Sequence, residues 1–452
     1  MRLTTKQALT KTITRLAMLA MLAGVGAAHA DPDAAFDMPP AAEPPAPAPG
    51  AAFPEASAAT ANTLTLAQLL KTLEAHNPSL KFAAARQEAA QGALDTAKMY
   101  PNPEVEAFGG TSTGIGAGAL NGSNHEVFVA QALDLPFVRE ARRKVAEAGI
   151  ASADEANRAV WLSVRGQTRQ AFYEILRRRA ELQIAADNER LLQQIRDKVQ
   201  LKVEVGEAPR YEEVKAMAEW LNAVKLRESA MVRVEDAKSA LHALFGAALP
   251  YPFDVSGDLP ASKPLPAIEA LREEVLARQP ALRQTHADIV KARAKLGYEE
   301  DLRYPTPTLK LGTQRDPGLE QWQVGVSIPL PVWNQRQGPI REAAAELNQA
   351  EAAALQQELA VLRELESAWN RYRIAQRQVD TFESGLLKQA ESALNVAAAG
   401  YRLGERSILD FLDAQRTYRS VRNDYLNARF DRQAALIDLE RLRATDLQED
   451  RL

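Results

Sequence analysis

The chain of 452 residues contains no cysteine. That excludes disulfides and thiolate metal sites, and no lipid-modified amino-terminal cysteine is expected. Histidine is nearly as scarce. His29, His76, His125, His242 and His286 are scattered with no pair at i, i+4, so no metal-ligand cluster of familiar spacing is present. The chain also lacks a G-x-S-x-G element, a phosphate-cradling loop and a dinucleotide fingerprint. Acidic pairs on its helical stretches are those of any solvated coiled coil, so neither an enzyme nor a cofactor is expected. Beyond the amino terminus every apolar stretch is broken by charge, so no helical membrane span is predicted. Lys and Arg number 55 against 59 Asp and Glu, a balance that gives no reason to expect nucleic acid as a partner.

The first thirty residues read as an export signal. Arg2, Lys6, Lys11 and Arg15 precede an apolar stretch from Leu16 to Val25, and Ala28-His29-Ala30 forms a small-residue cleavage site. About ten apolar residues are too few for a bilayer span, which needs about 20. Residues 31–62 are rich in Pro and Ala and poor in large apolar side chains, which predicts an extended, mobile lead-in.

From there the chain repeats itself. Ala75-His76-Asn77-Pro78-Ser79-Leu80 is echoed by Ala277-Arg278-Gln279-Pro280-Ala281-Leu282, and Tyr100-Pro101-Asn102-Pro103 by Tyr304-Pro305-Thr306-Pro307. Leu135-Pro136 returns as Leu330-Pro331, and Val205-Gly206-Glu207 as Leu403-Gly404-Glu405, in the same order at nearly one spacing. The organisation is therefore two repeats, 63–249 and 267–443, joined by a Pro/Gly-rich linker at 250–266 and followed by a tail at 444–452.

Each repeat opens with a helix interrupted at its Asn-Pro or Gln-Pro step and stopped at Tyr-Pro-x-Pro, because proline removes a donor and disfavours helical space before it. Two short strands follow, expected at about 103–109 and 126–135, then about 307–313 and 321–330. A Gly-rich turn (Gly109, Gly110, Gly114, Gly116, Gly118, Gly122) separates the first pair. Trp322, Val324, Val326, Ile328 and Leu330 share one face, and Gln323, Gly325, Ser327 and Pro329 the other. Val127, Val129, Leu133 and Leu135 repeat the pattern, with Gln131 on the same face. Such alternation suits a strand between oil and a wet interior, or a half-buried sheet in a soluble protein.

What comes next is long. Val138 to Leu201 has no proline and only Gly149 and Gly166, which predicts a rod of about 96 Å. Ile340 to Tyr401 predicts a second of similar length, and apolar residues recur at threes and fours as in coiled coils. Each rod turns at a glycine, with tips at about 202–210 and 401–407, into a return helix, Tyr211 to Phe245 or Ile408 to Leu442. The class is mainly α with a small β part. Four strands cannot close a membrane barrel, since open edges are not tolerated in lipid and the smallest barrels have eight. Pooled copies would supply eight from two chains or twelve from three, and both closures stay open on the residues alone.

Over residues 64 to 443 this plan resembles the TolC-like outer membrane efflux proteins, most closely in Ala399-Gly400-Tyr401-Arg402-Leu403-Gly404-Glu405-Arg406-Ser407-Ile408-Leu409-Asp410-Phe411-Leu412-Asp413-Ala414-Gln415. The resemblance implies a homotrimer whose twelve strands, four per chain, form a transmembrane β-barrel above a tunnel of twelve helices. It implies hairpin tips that close the tunnel at rest and meet a periplasmic adaptor and an inner membrane pump, here of the resistance-nodulation-division type. Residue by residue, Asp410 and Asp413 match acidic rings at the constriction, and Tyr401 and Arg406 a polar latch with Glu212 as acidic partner. Arg402, Leu403 and Gly404 match the adaptor-docking motif, for which the first tip offers Val205 and Gly206. Trp322, Val324, Val326 and Ile328 would face outer membrane lipid. The Tyr-Pro-Asn-Pro segment and Ala/Glu-rich hairpins lean to the branch similar to CzcC, which serves cobalt, zinc and cadmium efflux. Multidrug efflux and type I protein secretion use the same architecture. A periplasmic coiled-coil adaptor or structural protein would share the long hairpins and the export signal, but the four strands and the ordered duplication speak against it.

Overall fold

The structure, a computed structural model, describes residues 62–116, 118, 120–260 and 265–446. The expected signal peptide, the lead-in apart from Asn62, and the last six residues lie outside them.

The first repeat begins with a short strand, β1 (Asn62–Leu64), and helix α1 (Leu66–His76). Thr65 starts that helix with a capping box: its hydroxyl accepts from Gln68 N, and the Gln68 side chain accepts from Thr65 N at 2.9 Å. Asn77 then closes α1 and opens α2 (Pro78–Lys98). Its Oδ1 accepts from the backbone of Ser79 and Leu80 at 2.8 and 3.2 Å, while its Nδ2 donates to Leu244 O at 2.7 Å. The second repeat bends at the same place, between α5 (Ile268–Arg278) and α6 (Pro280–Asp301), with Gln279 at φ −62° against −63° for Asn77. One added methylene carries the amide past the helix end, and the buried Gln279 Oε1 has no hydrogen-bond partner.

Four strands, β2 (Glu104–Ser112), β3 (Gly122–Ala132), β5 (Thr308–Asp316) and β6 (Leu319–Ser327), form one antiparallel sheet in the order β2-β3-β5-β6. Here β4 denotes Phe253–Val255, which pairs in parallel with β1. The strand limits differ from those expected. Gly109, Gly110 and Gly122 belong to the strands and not to a turn, since ladder bonding uses backbone groups that glycine retains. At the other ends the ladders stop before Leu135-Pro136 and Pro329, so Ile328 and Leu330 lie past β6. The β5–β6 turn is just Pro317 and Gly318, with Gly318 at φ +86°, the left-handed conformation a type II turn needs.

Register aligns the sheet into two unlike faces. On one, Val105, Val129, Leu311 and Val324 lie in a row, beside Ala107, Val127, Thr313 and Trp322. On the other, Glu106, Phe128, Gly312 and Gln323 lie beside Glu104, Ala130, Lys310 and Gly325, with Lys310 paired to Glu106 at 2.9 Å. Val324 and Trp322 are 74% and 77% exposed. Both edges of the sheet are open among the described residues.

Helix α3 (Pro136–Glu204) runs 69 residues, about 100 Å at 1.5 Å per residue. It packs against α2, α6, the return helix α4 (Arg210–Phe245) and α9 (Ile408–Arg443). The second rod is not its equal. Helix α7 (Gln337–Thr381) gives way to one wide turn, Phe382–Leu386, where Gly385 leaves helical space (φ 157°, ψ −22°), before α8 (Leu387–Arg402). The predicted unbroken second rod is thus corrected to two pieces.

Equivalent cores anchor the two halves. Leu69 and Leu73 of α1 pack with Phe172, Ile175 and Leu241; Leu271 and Val275 of α5 pack with Leu365, Ala368 and Leu439. The expected linker contributes to the first of these, because Phe253 and Val255 of β4 are fully buried there. The expected tail also starts too early at 444: Ala444 is buried, and Asp446 sits between Arg165 (3.2 Å) and Arg169 (3.5 Å). Burial of a carboxylate at this position is tolerable because two guanidinium groups face it.

Candidate functional site at the hairpin tips

The two tips are near copies. In each, a helix ends on an apolar residue, Val205 (φ −88°, ψ 1°) or Leu403 (φ −80°, ψ −6°), followed by a left-handed glycine, Gly206 (φ +82°) or Gly404 (φ +76°). Glu207 N donates back to Lys202 O at 2.8 Å, and Glu405 N to Gly400 O at 2.9 Å. These closures satisfy carbonyls that a helix end leaves unpaired, and only glycine enters the left-handed step without a Cβ penalty. At the extremity Leu403 is 74% exposed and Val205 62%. Arg402 is exposed beside Leu403, its Nε donating to Ala398 O at 3.3 Å.

Behind the extremity the two tips share one core. Leu192, Ile195 and Val199 of α3 pack with Ala216 of α4, Ala397 of α8, and Ile408 and Phe411 of α9. Tyr401 covers this core, with its ring parallel to that of Phe411 (6.0 Å between centroids, 5° between planes) and the Lys202 ammonium 5.0 Å from its centroid. Its hydroxyl is buried without a hydrogen-bond partner. Burial, followed by the negative charge of Glu212, holds its pKa above the usual phenol value. Tyr401, Glu212 and Lys202 are therefore brought together from opposite tips.

Asp410 serves the helix it begins. Its carboxylate accepts from Ser407 N (3.2 Å) and Ser407 Oγ (3.0 Å), while Asp410 N donates to that same Oγ at 3.3 Å. Asp413, one turn on, is exposed. The stem of Arg406 lies on Gly400, where an added Cβ would come within 2.9 Å of its Cδ. Within a single chain the structure does not join Arg406 to Tyr401 by a hydrogen bond. Sequence reasoning missed Lys202, Phe411 and the Ser407 cap; the cap had a signal in its Ser-x-x-Asp spacing. It also missed Gln415 and Asn188, a buried pair at 3.2 Å that ties α9 to α3 just above the tips.

Among the described residues, no helix is long and apolar enough to cross a membrane, and no group of three or more His, Asp or Glu could hold a metal ion. Against known families, the profile described as outer membrane efflux protein matches residues 69–247 and again 271–445, one match per repeat. The chain belongs to the outer membrane efflux protein family. Its relatives include the cobalt-zinc-cadmium resistance protein CzcC of Cupriavidus metallidurans, 28% identical over 371 residues, which cover 81% of this chain and 86% of the relative. The cation efflux system protein CusC of Escherichia coli K12 is 23% identical over 400 residues, 83% of this chain and 84% of CusC. Among solved structures, the outer-membrane channel OprN superposes with a TM-score of 0.74 at 21% identity, over 84% of this chain and 89% of that one. Members of the outer membrane efflux protein family are transport channels of the outer membrane, so the duplicated hairpins, the sheet and the shared tip core belong to a channel subunit.

Proposed function

We propose that three copies of this chain assemble into a conduit that carries heavy-metal cations across the outer membrane. In this reading the pooled strands close a twelve-stranded barrel in lipid, and the helical hairpins form a tunnel through the periplasm. The supporting observation is the sheet itself: four strands, both edges open among the described residues, one face largely apolar and exposed, the other carrying Glu104, Glu106, Lys310 and Gln323 among small and aromatic residues. An open edge in lipid leaves backbone donors and acceptors unpaired, so such a sheet is complete only when copies join edge to edge.

The tips would form the periplasmic constriction. Asp413 and the capping Asp410, repeated by symmetry, would favour cations, as charged rings do in channels. The buried Tyr401 hydroxyl and Arg406 would find partners on the neighbouring copy and hold the constriction shut, with Glu212 beside them. Exposed Leu403, Arg402, Gly404, Val205 and Gly206 would dock a periplasmic adaptor, which delivers cargo from a resistance-nodulation-division pump. Binding that favours the open arrangement would shift the equilibrium toward it. Cargo passes down its gradient, so the protein is not an enzyme and needs no cofactor. On this reading the export signal is cleaved after Ala30. The choice of heavy-metal cations rests on the likeness to CzcC and CusC.

Two measurements test this reading. The purified protein should run as a heat-sensitive, detergent-requiring trimer and give single-channel currents in planar bilayers. Deletion of its gene should lower resistance to cobalt, zinc or cadmium more than to drugs. A soluble monomer without pore current would overturn the architecture, and loss of drug resistance alone would overturn the cargo.

A further inference from the structure

About midway along the hairpins a recess of about 390 Å³ opens between α3, α4 and α9. Its walls carry four guanidinium groups, Arg177, Arg178, Arg233 and Arg419, against the single carboxylate of Glu181. That carboxylate is already engaged, by Arg178 at 2.8 Å and Arg177 at 3.3 Å. Arg178 also reaches Glu174 at 2.7 Å, and Arg177 reaches Asp431 at 3.4 Å. Arg233 and Arg419 form no ion pair among the described residues. At the back, Asn423 and Asn427 line the same recess, and their buried Oδ1 atoms have no hydrogen-bond partner.

Two guanidiniums without an acidic partner among the described residues, in a recess whose one carboxylate is already engaged, make a site short of an acceptor-rich, negatively charged guest. We propose that this recess binds a small oxyanion, a phosphate-like or carboxylate group, held chiefly by Arg233 and Arg419. Guanidinium is always charged and its fork matches such groups, so the site is permanently poised.

The recess also has a direction. On α3 it uses Arg177, Arg178, Glu181, Ile184, Ala185 and Asn188, whereas Leu176, Arg179, Ala180, Leu182, Gln183 and Ala186 line a second recess together with Ser256 and Gly257 of the linker. At 3.6 residues per turn these two stripes lie on opposite sides of the helix. A linker layer inside a tunnel would plug it, so on the trimeric reading proposed above the linker lies outside and the recess faces the lumen. Three copies would place a basic belt above the acidic tips.

The test uses the full chain in detergent and inorganic phosphate at low salt, followed by calorimetry, with potassium chloride matched for ionic strength. The Arg233→Gln/Arg419→Gln variant should lose at least about tenfold in phosphate affinity, as expected on removal of charge-assisted contacts. Arg179→Gln, on the opposite side of α3, should bind as the parent does. Equal affinity in the double variant, no phosphate binding in the parent, or an effect matched by chloride would each overturn the proposal. Circular dichroism and heat-sensitive migration of the double variant should match the parent, so that lost affinity reports the site and not the fold. Binding in detergent needs no conduction, so absence of pore current would count against the channel reading alone.

Discussion

Val324→Arg is the sharpest probe of the sheet. Val324 stands in the row Val105-Val129-Leu311-Val324 near the middle of β6, and is 74% exposed in the isolated chain. If that row faces hydrocarbon, an arginine near its midplane costs about 2–4 kcal/mol per chain, or about 6–12 kcal/mol over three copies. That is comparable with the whole stability of a typical domain, about 5–15 kcal/mol, so assembly should fail. The neighbouring Gln323 points to the other face, where its Nε2 donates to Gln314 Oε1 at 2.5 Å. Gln323→Arg should therefore cost little, since lumen positions tolerate charge. Both variants are refolded into liposomes, and the heat-sensitive trimer is quantified by gel shift against the parent. Val324→Arg should abolish the trimer and Gln323→Arg should retain it. Equal tolerance of both would refute the placement of this face in lipid.

Other substitutions probe separate links. Leu439→Ala, at a fully buried position in the second core, should destabilise by about 2–5 kcal/mol and lower the midpoint of thermal unfolding followed by circular dichroism. Gly404→Ala meets no neighbouring atom but must hold φ +76°, so it should destabilise the tip by about 1–2 kcal/mol in the same assay. Gly297→Ala, in the helical interior of α6 with equally open space, should instead stabilise by about 0.5–1 kcal/mol. Because the Tyr401 pKa is raised in the fold, its contribution is complete below about pH 10, the ordinary phenol value, and fades as pH climbs through the folded value. Tyrosinate absorbance should show Glu212→Gln bringing this titration back toward ordinary, and an unmoved titration would exclude Glu212 as a contributor. Asp413→Asn should reduce cation preference in bilayer reversal potentials while leaving the Ser407 cap intact; unchanged preference would remove Asp413 from the constriction.

Much of this fold could be read from residue order, because its determinants are local. Proline after Asn77 and Gln279 imposes the bends, glycine at 206 and 404 imposes the tips, and period-two alternation from Trp322 onward imposes the strand. The break at Gly385 was not legible. Gly149 and Gly166 sit inside an unbroken helix, Gly166 against the stem of Arg441, so a helical glycine alone does not announce a break. The pairing of β1 with β4 also escaped, since three-residue strands carry little alternation and depend on a partner about 190 residues away in the chain. At the tips, Tyr401, Glu212 and the acidic residues were marked by resemblance, but the approach of Lys202 to Tyr401 joins opposite repeats and exists only in three dimensions. The recess arginines were invisible for a different reason. Charges on a helix read as solvent-facing until the neighbouring helices are placed.

The break after Thr381 means that stiffness is divided unequally within one subunit. The outgoing rod of the first hairpin is one continuous helix; that of the second has a joint about 20 residues from its end. In the trimer proposed above, straight rods would alternate with jointed ones, and an aperture built that way would widen while its frame stands still.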